Sequence, residues 1–444
     1  MLPGSDATFS VTASGSGQLS YQWQRSDDGG LTWIDVPGAT AATAIVAAAQ
    51  SNDDRAHLRV VISNALGSMT SNDAQLRVAS GPPRLAMGLS VAVARLADGS
   101  MRSWGTEFTG ELGDGGAPTD DRDVPGSLPG TGVAQISSGS KHSVAVQDTG
   151  AVLAWGFNSF GQLGQGNQND LVSPTTIPGI AGAVRACAGG AHTLVLLNNG
   201  TVVAMGNNTS GQLGLGASSG TVITMPQPVN GLSNAIALAC GSTHSVALLS
   251  DGTVRTWGRN NKGQLGDGSA VNQSSPVAVA GLTGVVAIAA GFEHTLALRG
   301  DGTVWSWGAN AKGQLGDAST TDRPTPVAVS GIADAVRIAA GGQDSMALPT
   351  NGVPMVWGSN AFGELGNGTA PLSPSFAALP TTTPGLGHII DIAVGHHPDR
   401  ATLFAVVSDG TVRGWGNNTE GQVGAGSPNP LLASPTTVNT LNVD

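Results

Sequence analysis

The sequence predicts an all-β protein on three observations. Short apolar runs are joined by Asp-Gly or Asn-Gly turns, the pattern of tight β-hairpins. No long stretch follows the 3.6-residue period of an amphipathic helix. A Trp-Gly dipeptide returns about every 50 residues, a period typical of propellers and repeat arrays.

Seven repeat units follow one another over residues 85–444. In the fifth unit, the Asp301-Gly302 turn lies six residues before the Trp-Gly dipeptide, and Gly-Gln-Leu-Gly begins six residues after it, at Gly313. The other units keep this register, and Met205 replaces the tryptophan in the third. The repeated tryptophans, which we expect to pack between blades, are Trp104, Trp155, Trp257, Trp307, Trp357 and Trp415.

Each unit contains four short β-rich runs, which favours a closed seven-bladed β-propeller over an open solenoid. Small residues recur four positions before the turn, where converging blades need narrow side chains. The C-terminal segment 434–438 repeats the outer Pro-Val strand of the other units. We expect this segment to pack beside the first unit and close the ring.

The repeat matches a known pattern: Gly-x-x-His-Ser/Thr, then Asp-Gly-x-Val, then Trp-Gly-x-Asn-x-x-Gly-Gln-Leu-Gly. Residues 291–316 show it almost without departure. The chain therefore resembles the regulator of chromosome condensation repeat family. That resemblance implies a seven-bladed β-propeller. One branch of the family is secreted by bacteria and inhibits β-lactamases, and the founding branch is a nucleotide exchange factor for a nuclear GTPase.

Residues 1–80 lack the repeat and are predicted to form a small β-sandwich, joined by a linker at 81–84. They resemble a bacterial immunoglobulin-like domain, with Trp23 in place of the buried tryptophan of the third strand. Val11 and Val60 replace the two cysteines of the antibody pattern. Other matching positions of the family motif are Asp54, Ala56, Asn64 and Gly67, whereas Leu58 replaces its tyrosine.

Composition narrows the classes of partner. The net charge is −11, and the chain contains three lysines, so nucleic acid and anionic membranes are not expected partners. No apolar run reaches the roughly 18 residues of a membrane span. The N-terminus lacks the basic and apolar regions of a signal peptide. We therefore expect either a sequence that begins after a removed signal or a cytoplasmic protein.

The two cysteines, Cys187 and Cys240, lie two residues and one residue before their repeat glycines. This opposite parity predicts side chains on opposite strand faces and no disulfide bond.

Histidine recurs at one repeat position, but equivalent residues around a seven-fold hub are too far apart to ligate one metal ion. We expect each to form a hydrogen bond with the neighbouring blade. These histidines are His142, His192, His244 and His294.

The loops after Trp-Gly vary between units and carry the candidate protein-binding residues. Four are aromatic, which suits a binding hot spot, although they could instead pack onto neighbouring blades. The candidates are Phe108, Phe157, Phe160, Phe362, Arg259, Lys262, Lys312 and Glu420.

No catalytic motif or convergent set of titratable groups is visible, so the sequence predicts a non-enzymatic, monomeric protein-binding scaffold without cofactor or metal. We expect a secreted or cell-surface bacterial adhesion module that binds a protein through one propeller face. An inhibitor of an extracellular enzyme is the alternative, and an exchange-factor-like regulator is a more distant one.

Overall fold

A computed structural model describes residues 5–26, 32–49, 56–76, 84–116, 121–217, 220, 222–368, 376–426 and 429–443. Asp54 and most of the 81–84 linker lie outside these ranges. The chain divides into two compact units, Met1–Gly81 and Pro82–Asp444. The described ranges contain strands and no helix, which confirms the all-β class. They accordingly hold no helix that could cross a membrane.

The first unit forms two antiparallel sheets. One pairs β1 with β4, and the other has the order β3-β2-β5-β6, with β7 also paired to β5. Trp23 and Leu58 of the larger sheet share one apolar cluster with Ala7 and Ala44 of the smaller. The strands are β1 Ser5–Ser10, β2 Ser20–Ser26, β3 Ile34–Asp35, β4 Thr43–Ala49, β5 His57–Asn64, β6 Gly67–Thr70 and β7 Ala74–Gln75.

The second unit repeats a four-stranded antiparallel sheet, and seven such sheets occur in the described ranges. Each takes its strands from consecutive chain, so we number the sheets one to seven. Sheet one has β8 Leu85–Met87, β9 Val91–Arg95, β10 Met101–Gly105 and β11 Arg122–Leu128. Sheet two has β12 Val133–Ser138, β13 His142–Gln147, β14 Val152–Gly156 and β15 Leu171–Thr176. Sheet three has β16 Ala183–Ala188, β17 His192–Leu197, β18 Val202–Gly206 and β19 Ile223–Pro228.

The remaining sheets follow the same plan. Sheet four has β20 Ala235–Cys240, β21 His244–Leu249, β22 Val254–Gly258 and β23 Gln273–Ala278. Sheet five has β24 Val285–Ala290, β25 His294–Arg299, β26 Val304–Gly308 and β27 Arg323–Ala328. Sheet six has β28 Ala335–Gly341, β29 Asp344–Pro349, β30 Met355–Ser359 and β31 Phe376–Thr382. Sheet seven has β32 Ile389–Val394, β33 Thr402–Val407, β34 Thr411–Asn417 and β35 Leu431–Asn442.

Consecutive sheets pack against each other through their first strands, and β32 of sheet seven contacts β8 of sheet one. The last strand also contacts β11. Val438 of that strand shares an apolar cluster with Trp104, whose ring meets Phe404 edge to face at 5.9 Å. The C-terminal segment therefore lies in sheet seven and packs beside sheet one.

The repeated letters have local structural reasons. Gly308 of the fifth Trp-Gly has φ +104°, and a Cβ there would lie 2.6 Å from the carbonyl oxygen of Glu293. Glycine is therefore required where the two loops meet. Two residues later, the Asn310 side chain accepts the Leu315 N–H at 3.0 Å and donates to the Ser319 carbonyl, so it holds the Gly-Gln-Leu-Gly turn closed.

Candidate functional site

Two loops of each repeat lie side by side at one end of its sheet. One precedes the strand that starts at the histidine position, and the other follows Trp-Gly. The Phe157 N–H donates to the Lys141 carbonyl oxygen at 2.9 Å, and the Arg259 N–H donates to that of Thr243 at 2.9 Å. We call the surface formed by these loops the loop face. All eight candidate binding residues are on it.

Four residues of the first two repeats form a contiguous group on the loop face, which we call the aromatic patch. Phe108 and Phe160 are 57% and 37% exposed, and Phe157 is half-buried. The rings of Phe157 and Phe160 meet edge to face with centroids 6.2 Å apart. Lys141 Nζ lies 5.7 Å from the ring centre of Phe108 and 5.9 Å from that of Phe157. The ammonium group thus bridges the two repeats by cation–π contacts.

The fourth aromatic candidate, Phe362, belongs to the sixth repeat. It is half-buried, and the Arg400 guanidinium lies 5.8 Å from its ring centre. The Phe362 N–H donates to Glu364 Oε2 at 2.7 Å. A cation and an aromatic ring therefore lie together on the loop face a second time. Here the sixth repeat supplies the ring and the seventh supplies the cation.

The charged candidates bind other parts of the chain. Arg259 Nη1 lies 3.7 Å from Glu293, and Lys262 Nζ lies 3.3 Å from Asp322. Half-exposed pairs of this kind contribute little to stability, roughly 0–1 kcal/mol. Glu420 accepts a hydrogen bond from Thr106 Oγ1 at 2.9 Å, which links the seventh repeat to the first. Lys312 donates its main-chain N–H to Gln314 Oε1, and its side chain is half-buried.

The repeated histidines lie at the junctions between consecutive sheets. Each is fully buried or nearly so, and its Nε2 lies within hydrogen-bond distance of a hydroxyl oxygen of the next sheet. The sequence pattern does not single out this hydroxyl, which belongs to the residue after the histidine position of the next repeat. The pairs are His142 with Thr193 at 2.9 Å, His192 with Ser245 at 3.0 Å, His244 with Thr295 at 3.0 Å and His294 with Ser345 at 2.9 Å.

The hydroxyl groups fix the protonation of these histidines. Thr295 Oγ1 donates its only hydrogen to the Gln264 carbonyl oxygen at 3.0 Å, so His244 Nε2–H is the donor to Thr295. Trp307 Nε1 donates to the same Gln264 carbonyl at 2.9 Å. Burial lowers the pKa of all four histidines to about 3, which keeps them neutral. This set of groups holds sheets together and offers no activated nucleophile.

The spacing of Gly-x-x-His also has a steric reason. A Cβ at Gly241 would lie 2.1 Å from Cε1 of His244, so the imidazole ring packs directly over the glycine. The repeated tryptophans are fully buried, and Met205 fills the equivalent space in sheet three.

The expectation of two unpaired cysteines is wrong. Cys187 of sheet three and Cys240 of sheet four form a disulfide bond with Cα atoms 5.7 Å apart. Both belong to one apolar cluster between the two sheets. Consecutive sheets pack front to back, so residues of opposite parity are the ones that face each other across a junction. Residues of opposite parity point to opposite faces of a single sheet. Across a junction between two sheets, the same residues point toward each other.

These features define a class of protein: a β-propeller built from repeated four-stranded sheets whose variable loops form one face. The RCC1-like domain model matches residues 80–284 and 181–443. The chain belongs to the RCC1-like domain family.

Three solved structures have a fold similar to that of this chain. The structure of yeast RCC1 (Prp20) bound to Kap60 gives a TM-score of 0.68 at 25% identity, covering 80% of this chain and 85% of that one. Prp20p from Saccharomyces cerevisiae, described with its binding properties to Gsp1p and histones, gives 0.67 at 25% identity, with 82% and 88% covered. Human WBSCR16 gives 0.66 at 24% identity, with 79% and 94% covered.

The curated relatives match over a shorter length. The ultraviolet-B receptor UVR8 of Arabidopsis thaliana is 31% identical over 197 residues, which is 43% of this chain and 33% of the receptor. The human E3 ubiquitin-protein ligase HERC2 is 35% identical over 175 residues, 39% of this chain and 2% of the ligase. The matched segment thus spans a third or less of these relatives.

Proposed function

We propose that this protein is a non-enzymatic binding scaffold whose loop face docks a protein partner. The observation that carries the proposal is the aromatic patch. Two of its phenylalanines are exposed on loops held by a buried frame. Loops that are already ordered lose little conformational entropy on binding, and aromatic anchors dominate many interfaces. Family membership supports a binding or regulatory role.

The proposal includes the architecture that presents this face. Seven sheets, the last of which contacts the first, support a closed seven-bladed ring. For the first unit we propose an immunoglobulin-like sandwich, since its two sheets share the apolar cluster around Trp23. In the proposed division the sandwich spans residues 1–80 and the propeller residues 85–444.

We propose an extracellular or cell-surface location. The Cys187–Cys240 disulfide supports it, because such bonds persist in oxidising compartments and are rare in the cytosol. A bacterial adhesion role is the specific form we favour, and inhibition of an extracellular enzyme is its alternative. The intact chain, immobilised and exposed to envelope and host extracts, would capture the partner for identification by mass spectrometry.

The captured partner then allows a test of the patch. Phe157→Ala and Phe160→Ala should each weaken binding by more than about 1 kcal/mol, roughly fivefold or more in Kd, with the melting temperature nearly unchanged. Phe376→Ala is the matched control, since Phe376 is 40% exposed on the outer strand of sheet six. Full binding by both patch variants, together with lower melting temperatures, would show that the two rings serve packing alone.

A second candidate, an exchange-factor-like regulator, is favoured by the similarity to Prp20p, which was described with its binding to Gsp1p and histones. It fits the comparisons at least as well as an adhesion role. Release of a fluorescent guanine nucleotide from a Ras-like GTPase, accelerated by this chain in catalytic amounts, would favour this candidate over a passive scaffold.

A further inference from the structure

The junction between sheets six and seven departs from the histidine pattern at three positions. Asp344 occupies the histidine position of the sixth repeat, and Glu364 occupies its glutamine position. In the seventh repeat, Leu403 replaces the serine or threonine that would face the histidine. The junction therefore contains two carboxyl groups where the four histidine junctions have an imidazole and an amide.

Both carboxyl groups are buried, Asp344 at 1% exposure and Glu364 at 0%. Glu364 Oε2 accepts the Phe362 N–H at 2.7 Å. Asp344 Oδ1 and Glu364 Oε1 have no hydrogen-bond partner in the described part of the chain. Each carboxyl group thus has one oxygen without a hydrogen-bond partner. At most its other oxygen accepts a hydrogen bond from the surrounding repeat.

Inside the junction sheet seven contributes uncharged groups, whereas its charged side chains lie at the rim, with the Arg400 guanidinium over the Phe362 ring and Asp399 accepting a hydrogen bond from Gln343 Nε2 at 3.2 Å. Trp415 Nε1 donates to the Glu364 carbonyl oxygen at 2.8 Å, and Thr402 Oγ1 donates to the Asn417 carbonyl. The charge that raises the pKa of Asp344 is that of Glu364, and the ion pairs found among the described residues include neither carboxyl. Two buried carboxylates without a cation are very costly, so the pair retains a proton.

We propose that Asp344 and Glu364, which both belong to the sixth repeat, form a proton-sharing pair at its junction with sheet seven, and that loss of this proton in mildly alkaline solution loosens this junction selectively. A hydrogen bond from the carboxylic acid to the carboxylate would satisfy both free oxygens, one as donor and the other as acceptor. The second ionisation would place two negative charges in an apolar junction.

The direction of the pH effect follows from the shifts. Burial raises the pKa of Glu364 to about 7, and burial together with the Glu364 charge raises the pKa of Asp344 well above its usual value. In the unfolded chain both groups titrate near pH 4. The stability that the protonated pair provides is therefore complete below pH 4 and is lost as the pH rises through about 7.

Hydrogen–deuterium exchange of the full chain at pH 6 and pH 9 tests the proposal. After correction for intrinsic rates, protection in β29, β32 and β33 should fall by about tenfold or more, with β21 and β25 unchanged. Glu364→Gln restores the residue of most other repeats and should abolish the change. Glu111→Gln is the matched control, because Glu111 occupies the same repeat position without an aspartate at the histidine position.

Three results would overturn the proposal. One is an equal loss of protection in every sheet, and another is an unchanged pH response in Glu364→Gln. The third is a rise in melting temperature with added Ca²⁺ that Glu364→Gln removes, since the pair would then hold a cation instead of a proton. Asp344→Asn provides a second variant, and its pH response should match that of Glu364→Gln.

Discussion

The junctions that contain histidine and the junction between sheets six and seven share one frame but bury opposite kinds of titratable group. His244 is a buried base held neutral by loss of a proton. Asp344 and Glu364 are buried acids whose negative charge is limited because the pair retains a proton. The same fold therefore becomes less stable in acid at one set of junctions and in alkali at another. The comparison shows that the repeat determines which positions are buried. It does not determine whether an acid or a base occupies them.

The largest expected effect is acid unfolding through the histidine junctions. The folded-state pKa of about 3 lies below the ordinary 6.5, so the stability contributed is present above pH 6.5 and is lost as the pH falls toward 3. At pH 4.5 the loss is about 2 to 3 kcal/mol per histidine, or about 10 kcal/mol for four, comparable to total stability. Tryptophan fluorescence against pH should show unfolding between about pH 5 and 4.

One substitution sharpens this test. His294→Asn should flatten the dependence of unfolding free energy on pH between 6.5 and 4. His388→Asn should leave it unchanged, because His388 is exposed and asparagine tolerates its φ of +56°. An acid transition of equal slope in both variants would mean that other groups cause it.

The second prediction concerns what the two kinds of junction share. Trp307 and Trp415 both donate Nε1 to a carbonyl of the preceding sheet, at 2.9 and 2.8 Å, and both are fully buried. Replacing either by alanine should cost about 3–5 kcal/mol in urea unfolding. Trp307→Met should cost less, since Met205 fills this position in sheet three. Very different costs for the two alanine variants would show that the frame differs between the junctions.

The smallest effect is expected from the disulfide at the junction of sheets three and four. Reduction, or Cys187→Ser with Cys240→Ser, should lower the unfolding free energy by about 2–4 kcal/mol. Exchange protection in sheets six and seven should stay unchanged. Equal stability of the oxidised and reduced chains in urea would contradict this prediction.

The sequence predicts the repeated frame well, because the same letters recur in register wherever the backbone needs them. Gly308 and Asn310 are examples, since each is required by contacts within its own repeat. Contacts across a junction are harder to predict. Aligning repeats shows which positions are equivalent, but not which of them meet in the next sheet.

This difference explains the specific misses. The prediction for the two cysteines is wrong because consecutive sheets pack front to back. Residues of opposite parity then face each other across the junction. Asp344 stands out in the sequence as a departure at a histidine position, and Glu364 as one at a glutamine position. Their closeness in one junction depends on packing that neither position reveals alone. The exposure of Phe108 and Phe160 likewise depends on loop geometry, so the sequence leaves both a packing and a binding role open for them.

Each sheet of the second unit takes its four strands from one unbroken stretch of chain, so no strand is exchanged between neighbouring sheets in the described ranges. A duplication or deletion of about 50 residues in the gene would therefore add or remove one whole sector and leave every β-ladder complete. Selection can then exchange single sheets, with their loops, while the other sheets keep their hydrogen bonds. Descendants of such a chain can acquire new partners sector by sector.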